Sequence, residues 1–148
     1  MKKYVLVTGG AGFVGSELST RLIAEGYKVT IIDDLSNGKQ ENIPAGAEFH
    51  KLDISDSSSL DSIPQYPYKI IFHVAAQASN AISWQHPTRD LMVNQLGTYN
   101  ILEFCVKRGI TRVIFTSSMS AYGLTEILPT SESIEMKPDT FYAVHKLA

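Results

Sequence analysis

Cysteine is nearly missing. One thiol, Cys105, stands among 148 residues, so no disulfide can close within the chain and a reducing compartment is expected. It sits in the apolar pattern ILEFCV, which makes it a buried structural thiol rather than a nucleophile. A basic excess is missing too: thirteen Lys and Arg against fifteen Asp and Glu give a formal charge of −2. Nucleic-acid surfaces need a basic patch or stripe, so a nucleic-acid partner is not expected. No apolar run approaches the roughly 18 residues that span a bilayer. The opening MKKYVLVTGG has two lysines and a short apolar run, but glycines interrupt it before a leader's apolar region develops. His50, His73, His86 and His145 show no metal-ligand spacing, so no metal is expected, and His73 at a strand end reads as structural. Repeats, low-complexity tracts and linkers are lacking. What remains is an ordinary globular composition, 44% hydrophobic and 19% charged, at a typical one-domain length, with a cytoplasmic address expected.

What is present is alternation. Tyr4–Thr8, Lys28–Asp33, Ala47–Lys51, Lys69–Val74 and Arg112–Thr116 read as strands, several apolar on consecutive residues as strands covered on both faces should be. Val14–Glu25 carries Val14, Leu18, Leu22 and Ile23 at helical spacing and stops at Gly26. Arg89–Lys107 repeats the pattern with Leu91, Met92, Gln95, Leu96, Tyr99, Leu102, Glu103 and Val106, stopping at Gly109; one buried face suffices to explain it. Ser55-Asp56-Ser57 opens a short helix cut off at Pro64. The order β-α-β-β-α-β-α-β implies an α/β domain with a doubly wound parallel sheet, helices on both faces and right-handed crossovers. Asp34–Gly46, Ala75–Thr88 and Ser117–Thr140 are loops, and the length of the last two suggests function. Phe141–Ala148 starts a helix that ends after about two turns, marginal without tertiary support. Residues 1–148 are therefore expected to be the first portion of a longer protein, with Arg112–Thr116 left as an open edge.

VLVTGGAGFVG, residues Val5–Gly15, runs a strand into a helix through a glycine turn. Two patterns fit it: G-x-G-x-x-G on Gly10, Gly12 and Gly15, or T-G-x-x-G-x-x-G on Thr8, Gly9, Gly12 and Gly15. Either lets a pyrophosphate approach a helix N-terminus, where free N–H groups favour an anion. A triphosphate-binding loop would need Lys after the last glycine, and Ser16 and Glu17 stand there instead. The plain alternative is a tight turn with no ligand. Asp33 ends the second strand eighteen residues beyond Gly15, where a carboxylate accepts hydrogen bonds from adenosine ribose hydroxyls. With no Arg in Asp34–Gly38 to hold a 2′-phosphate, NAD is favoured over NADP. Asp53 could meet the adenine edge or cap the following helix, and the two are compatible.

The reactive groups come late, in FTSSMSAYG and FYAVHK. Tyr142 and Lys146 are four apart, hence on one side of one helix. A tyrosine with pKa of about 10 is a poor base until a nearby ammonium and a positive nicotinamide favour phenolate. It could then take a proton from a sugar hydroxyl as hydride leaves the same carbon. Ser118 could hydrogen-bond the substrate oxygen. Each motif alone is commonplace; the combination with the glycine turn and Asp33 is far more specific.

Taken together, VTGGAGFVG, IIDDLSNG, HVAAQAS, VNQLGTYNILE, TSSMSAYG and YAVHK resemble the extended short-chain dehydrogenase/reductase family over the whole chain. The nearest likeness is to its NAD-dependent nucleotide-sugar epimerases and dehydratases, of the UDP-glucose 4-epimerase kind. The resemblance implies that residues 1–148 are an NAD-binding domain of Rossmann-type fold lacking its C-terminal strands and a substrate domain, with NAD as cofactor, a UDP-sugar substrate and, through Arg89–Lys107, a possible homodimer. It selects Gly9, Gly12 and Gly15 as the pyrophosphate turn, with Gly10 incidental. It implies cofactor contacts at Phe13, Val14, Asp33, Asp34, Asn37, Gly38, Asp53, Ile54, Val74, Ala75, Ala76, Gln77 and Asn94, with Tyr142 and Lys146. Ser118, Tyr142 and Lys146 take the catalytic positions.

The reaction is sorted near Ser118. Family dehydratases resemble T-D-E there, whereas Ser118, Met119 and Ser120 hold no carboxylate; related decarboxylases carry Glu where Ser120 stands. A 4-epimerase needs neither: hydride leaves C4 for NAD+, the 4-keto sugar turns over, and hydride returns to the opposite face. Some family 4-epimerases have a lysine where Gln77 and Ala78 stand, so the subtype stays open. The alternatives are another NAD-dependent sugar-nucleotide dehydratase or reductase, and an NAD-binding fragment without turnover. Trp84 is expected over the active-site loop.

Overall fold

The computed structural model of the chain describes residues 3–126 and 128–148. Met1, Lys2 and Ile127, which fall in the N-terminal run and the Ser117–Thr140 loop, lie outside the described residues. Five strands form, each within a residue of its expected bounds: β1 Tyr4–Thr8, β2 Lys28–Asp33, β3 Glu48–Lys51, β4 Tyr68–His73 and β5 Val113–Phe115. All pair in parallel in the order β3-β2-β1-β4-β5. The chain therefore winds outward one way from β1 to β3 and the other way through β4 and β5. That reversal creates a crevice beyond the carboxyl ends of β1 and β4, where open α/β sheets take their ligands. The fold is the Rossmann-type α/β arrangement.

Side-chain alternation along β1 feeds both faces. Leu6 packs with Ile32, Ile71, Ile101 and Phe104, while Val5 and Val7 pack with Leu22, Val29 and Ile31. Each fully buried aliphatic contributes about 1.5–3 kcal/mol, so a strand covered on both sides has no polar position to spare. Helix α1, Phe13–Ala24, leaves the glycine turn directly and buries Gly15, Ser19 and Leu22 against the sheet. Ser19 Oγ donates to the Gly15 carbonyl at 2.7 Å, which lets a polar residue face the core without an unmet bond. β5 is an edge, with Ile114 and Phe115 exposed.

Three expectations are corrected. The helix from Ser55 does not form. Asp53 Oδ1 accepts the backbone N–H and hydroxyl of Ser55, and Asp56 Oδ1 does the same for Ser58. Such short side chains compete with the helical ladder, and only a 3-10 turn, Ser59–Ser62, follows. The loop Ala75–Thr88 contains α2, Asn80–Gln85, whose first turn is capped by Ser79 Oγ accepting from Ile82 N–H.

The largest correction concerns Arg89–Lys107. The segment is α3, Pro87–Asp90, then a π-helical stretch, Leu91–Leu96, then α4, Gly97–Arg108. Its buried face is Asp90, Asn94, Gly97, Asn100, Ile101, Phe104 and Cys105. The apolar stripe of Leu91, Met92, Tyr99, Leu102 and Val106 faces outward. Asn100 can sit inside because its Nδ2 donates to the carbonyls of Ile54 and Ser55. Helix α5, Phe141–Leu147, forms as expected, capped by Thr140 Oγ1 accepting from Ala143 N–H at 3.1 Å. It packs on α2, α3, the π-helical stretch and a 3-10 turn at Met119–Tyr122, which supply the support so short a helix needs.

Candidate active site

The glycines divide the work of the turn. Gly9 has φ +70, and a Cβ there would lie 2.7 Å from the Ala75 backbone, so both conformation and space demand glycine. A Cβ on Gly15 would fall against the Gly9 carbonyl and 2.8 Å from Gly10 Cα, so Gly15 lets α1 start pressed against the turn. At Gly12 a Cβ would meet only the Gly9 carbonyl, at 3.3 Å. Gly12 thus leaves the open side of the turn bare, the room an approaching pyrophosphate needs. Gly10 is not incidental. It is buried, and a Cβ on it would lie 2.5 Å from Ile31 Cγ2, so it sets how closely the turn lies on β2. Phe13 and Val14 stand exposed at the start of α1, Phe13 at 92%.

Asp33 is 8% exposed at the end of β2. Its Oδ2 accepts from Ala11 N–H at 3.0 Å and its Oδ1 from Leu35 N–H at 2.9 Å, binding the turn to the strand end. An ionised carboxylate offers about four acceptor positions, so two remain open to the donors of a ligand. Asp34 Oδ1 holds the N–H and hydroxyl of Ser36, shaping the loop that carries exposed Asn37. Gly38 lies against Ala11, where a Cβ would come within 2.9 Å. Asp53 is exposed and makes the Ser55 turn described above; the helix it was expected to cap does not form. Ile54 is buried in the core, so it can reach a ligand only through its backbone.

The loop after β4 is stapled from below. Thr8 Oγ1 accepts from Val74 N–H at 3.2 Å and Ala75 N–H at 3.0 Å, and bonds His73 Nδ1 at 2.7 Å. Having accepted twice, Thr8 donates its proton to Nδ1. His73 Nε2–H then donates to Thr98 Oγ1 at 3.0 Å, and Thr98 passes its proton to the Asn94 carbonyl at 2.6 Å. Every bond is met with a neutral ring, and burial, aided by the Lys146 charge, lowers the His73 pKa to about 4. The structural reading of His73 holds. Asn94 is buried and clasps the loop: its Oδ1 accepts from Gln77 N–H at 2.9 Å and its Nδ2 donates to the Gln77 carbonyl at 3.0 Å. Both ends of Asn94 are thereby engaged, which assigns it to shaping the loop of Val74, Ala75, Ala76 and Gln77.

Tyr142 and Lys146 lie on α5, which packs on the 3-10 turn that Ser118 leads. Ser118 leads the 3-10 turn on which α5 packs, and its Oγ accepts from Ser120 N–H at 3.2 Å, leaving its own proton to donate. Tyr142 is half-buried on the same helix as Lys146. Lys146 is 4% exposed, with Nζ 4.4 Å from the ring centroid of Phe115, the last residue of β5. Burial lowers its pKa to about 8, against the opposing pull of the Asp90 charge. Trp84 meets Phe141, the first residue of α5, with ring centroids 5.0 Å apart. Asp90 and Phe115 were not anticipated, since neither belongs to a local motif. Cys105 is buried and its thiol is pushed up to about 11, too high for a nucleophile at neutral pH.

A hollow of about 330 Å³ opens past Tyr122, lined by Leu124, Glu126, Ile134 and Lys137, but none of the expected site residues lines it. Among the described residues no helix is long and apolar enough to cross a membrane, and no group of three or more His, Cys, Asp or Glu is placed to hold a metal.

Comparison with known proteins agrees with this geometry. The profile of the NAD dependent epimerase/dehydratase family matches residues 5–148. A UDP-glucose 4-epimerase of Mycolicibacterium smegmatis is 40% identical over 97% of this chain and 48% of its own length. The crystal structure of a UDP-glucose 4-epimerase with UDP-glucose from Thermotoga maritima superposes with a TM-score of 0.93 at 39% identity, covering 97% of this chain and 48% of that one. A Thermus thermophilus UDP-glucose 4-epimerase in complex with NAD gives a TM-score of 0.90 at 37% identity, over 97% of this chain and 47% of that one. The chain spans about half the length of these relatives. A glycine turn, an acid closing β2 and a Tyr-Lys helix seated beside the switch point make one arrangement with the matched profile: the chain belongs to the NAD-dependent epimerase/dehydratase family.

Proposed function

We propose that residues 1–148 form the NAD-holding part of a nucleotide-sugar 4-epimerase acting on a UDP-sugar. The observation that carries this reading is the seating of α5. Lys146 lies against the end of β5 and α5 packs on the Ser118 turn, beside the crevice the strand reversal creates. The turn at Gly9–Gly15 and the N-terminus of α1 would hold the pyrophosphate, with Phe13 and Val14 at its rim. Asp33 would hold the ribose; Asp34, Asn37, Gly38, Asp53, the backbone of Ile54 and the Val74–Gln77 loop would line the rest. NAD bound there would supply the acceptor, and then the donor, of the sugar C4 hydride. Tyr142 takes the O4 proton and returns it, while the Lys146 ammonium favours the phenolate. Ser118 donates to the sugar oxygen and fixes its position. The carboxylate-free run Ser118-Met119-Ser120 supports epimerisation over dehydration, which needs an added acid and base.

The test is interconversion of UDP-glucose and UDP-galactose, followed by product chromatography. Residues 1–148 alone are expected to bind NAD weakly and not to turn over. The same residues joined to the second half of the Mycolicibacterium smegmatis relative are expected to turn over. Robust turnover by the chain alone would overturn the two-part reading, and NAD binding without turnover in the joined protein would favour a non-catalytic module.

A homodimer is part of this proposal. Met92, Gln95, Tyr99, Leu102 and Val106 recur at intervals of three and four, the seam of packed helices, and the four apolar ones are exposed. Val106→Glu is expected to turn a dimer into a monomer in sedimentation velocity. A parent chain that is already monomeric at high concentration would sink the idea.

A further inference from the structure

Asp90 is the most buried acid of the described residues and the mechanism above leaves it idle. It ends α3, fully enclosed. Its Oδ1 is shared by Asn94 Nδ2 and, at 3.1 Å, by His145 Nδ1. Its Oδ2 has no hydrogen-bond partner among the described residues. A buried charge held by so few donors is costly unless something nearby repays it. His145 and Lys146 are adjacent on α5, so the clasp on His145 fixes the turn of helix that carries Lys146. The bond also ties α5 to the segment whose Asn94 shapes the loop after β4.

We propose that Asp90 is a positioning residue for Lys146: clasped by His145 and Asn94, it sets a buried carboxylate against the turn of α5 that carries the lysine. The proposal rests on the assignment of Tyr142 and Lys146 above. The groups around Lys146 divide clearly. From β4 comes His73, held neutral by its two threonines. From β5 comes Phe115, an aromatic face. The Met119–Tyr122 turn brings Tyr122, and α5 itself brings Tyr142 and His145. α3 brings Asp90 and Arg89, the latter exposed; the π-helical stretch and α2 bring no ionisable side chain. Asp90 is the only carboxylate on these elements. Its pull opposes the burial that otherwise strips Lys146 of its proton.

Asp90→Asn tests this cleanly, because it keeps an oxygen for His145 and Asn94 and exchanges only the unpartnered atom. The readout is the Lys146 side-chain nitrogen, followed by 15N NMR across pH without NAD. The midpoint is expected to fall by roughly one pH unit or more in Asp90→Asn, the size of an opposite-charge effect at close range. His145→Ala, which releases the clasp, should move it the same way, and His145→Asn, which can still donate, should restore it. An unchanged midpoint in folded Asp90→Asn overturns the proposal. Should that variant not fold, the parent chain decides: the Asp90 carboxyl carbon must step at the Lys146 midpoint, and a flat trace there overturns it equally. These readings do not depend on turnover. Full activity in Lys146→Met would instead sink the catalytic assignment and leave the titration standing.

Discussion

Tyr142→Phe should lower the UDP-sugar interconversion rate by roughly 100- to 10,000-fold, the usual share of a positioned acid–base group. The substitution removes one oxygen from a half-buried ring and keeps its packing on α5. Stability and NAD affinity should therefore stay close to the parent values while kcat collapses. Lys146 and Ser118 would still orient the sugar, but neither could carry the O4 proton through the step. The comparison is of steady-state kcat and NAD titration in the joined protein described above. A variant that keeps near-parent kcat would remove Tyr142 from the proton path.

A matched pair of glycine variants should separate folding from binding. In Gly15→Ala the new Cβ meets backbone on two sides, the Gly9 carbonyl and Gly10 Cα, and backbone cannot rotate away. Forced overpacking of this kind costs about 1–3 kcal/mol and sometimes more, against total stabilities of about 5–15 kcal/mol. A clear fall in the denaturant midpoint is expected, with loss of NAD binding as the turn opens. In Gly12→Ala the Cβ touches only the Gly9 carbonyl at 3.3 Å, so a shift of a few tenths of an ångström suffices. Its midpoint should barely move, yet NAD affinity should drop because the methyl occupies the open side of the turn. Equal stability losses in the two variants, or NAD binding retained in Gly12→Ala, would contradict this division.

Much of this was legible because it is local. Strands covered on both faces, such as β1, announce themselves as unbroken apolar runs. The glycine turn, Asp33 and the Tyr142–Lys146 spacing each lie within one short segment. What escaped is non-local or depends on satisfied polarity. The face of the π-helical stretch and α4 was read inside out because Leu102 and Val106 look like core and Asn94 and Asn100 do not. Asn100 is welcome inside only because carbonyls forty-five and forty-six residues away accept its hydrogens. The Asp90–His145 pair spans fifty-five residues, and no spacing rule reaches that far. The Ser55 helix failed for the opposite reason: Asp53 and Asp56 satisfy the backbone within two residues, before a helix can. Gly10 looked redundant since its constraint comes from Ile31 on another strand.

The burial of Lys146 makes folding a proton-linked event. Its pKa of about 8 lies below the ordinary 10.5 that an unfolded lysine would show. Between those values the unfolded chain still holds a proton that the folded chain has let go. Stability on this account therefore climbs as pH rises from 8 toward 10.5. Below 8 the native state carries the whole penalty, about 3 kcal/mol at neutral pH. The helix is thus less stable with a buried lysine than it would be with an apolar side chain of the same length, so sturdiness and the role proposed for Lys146 pull this position in opposite directions.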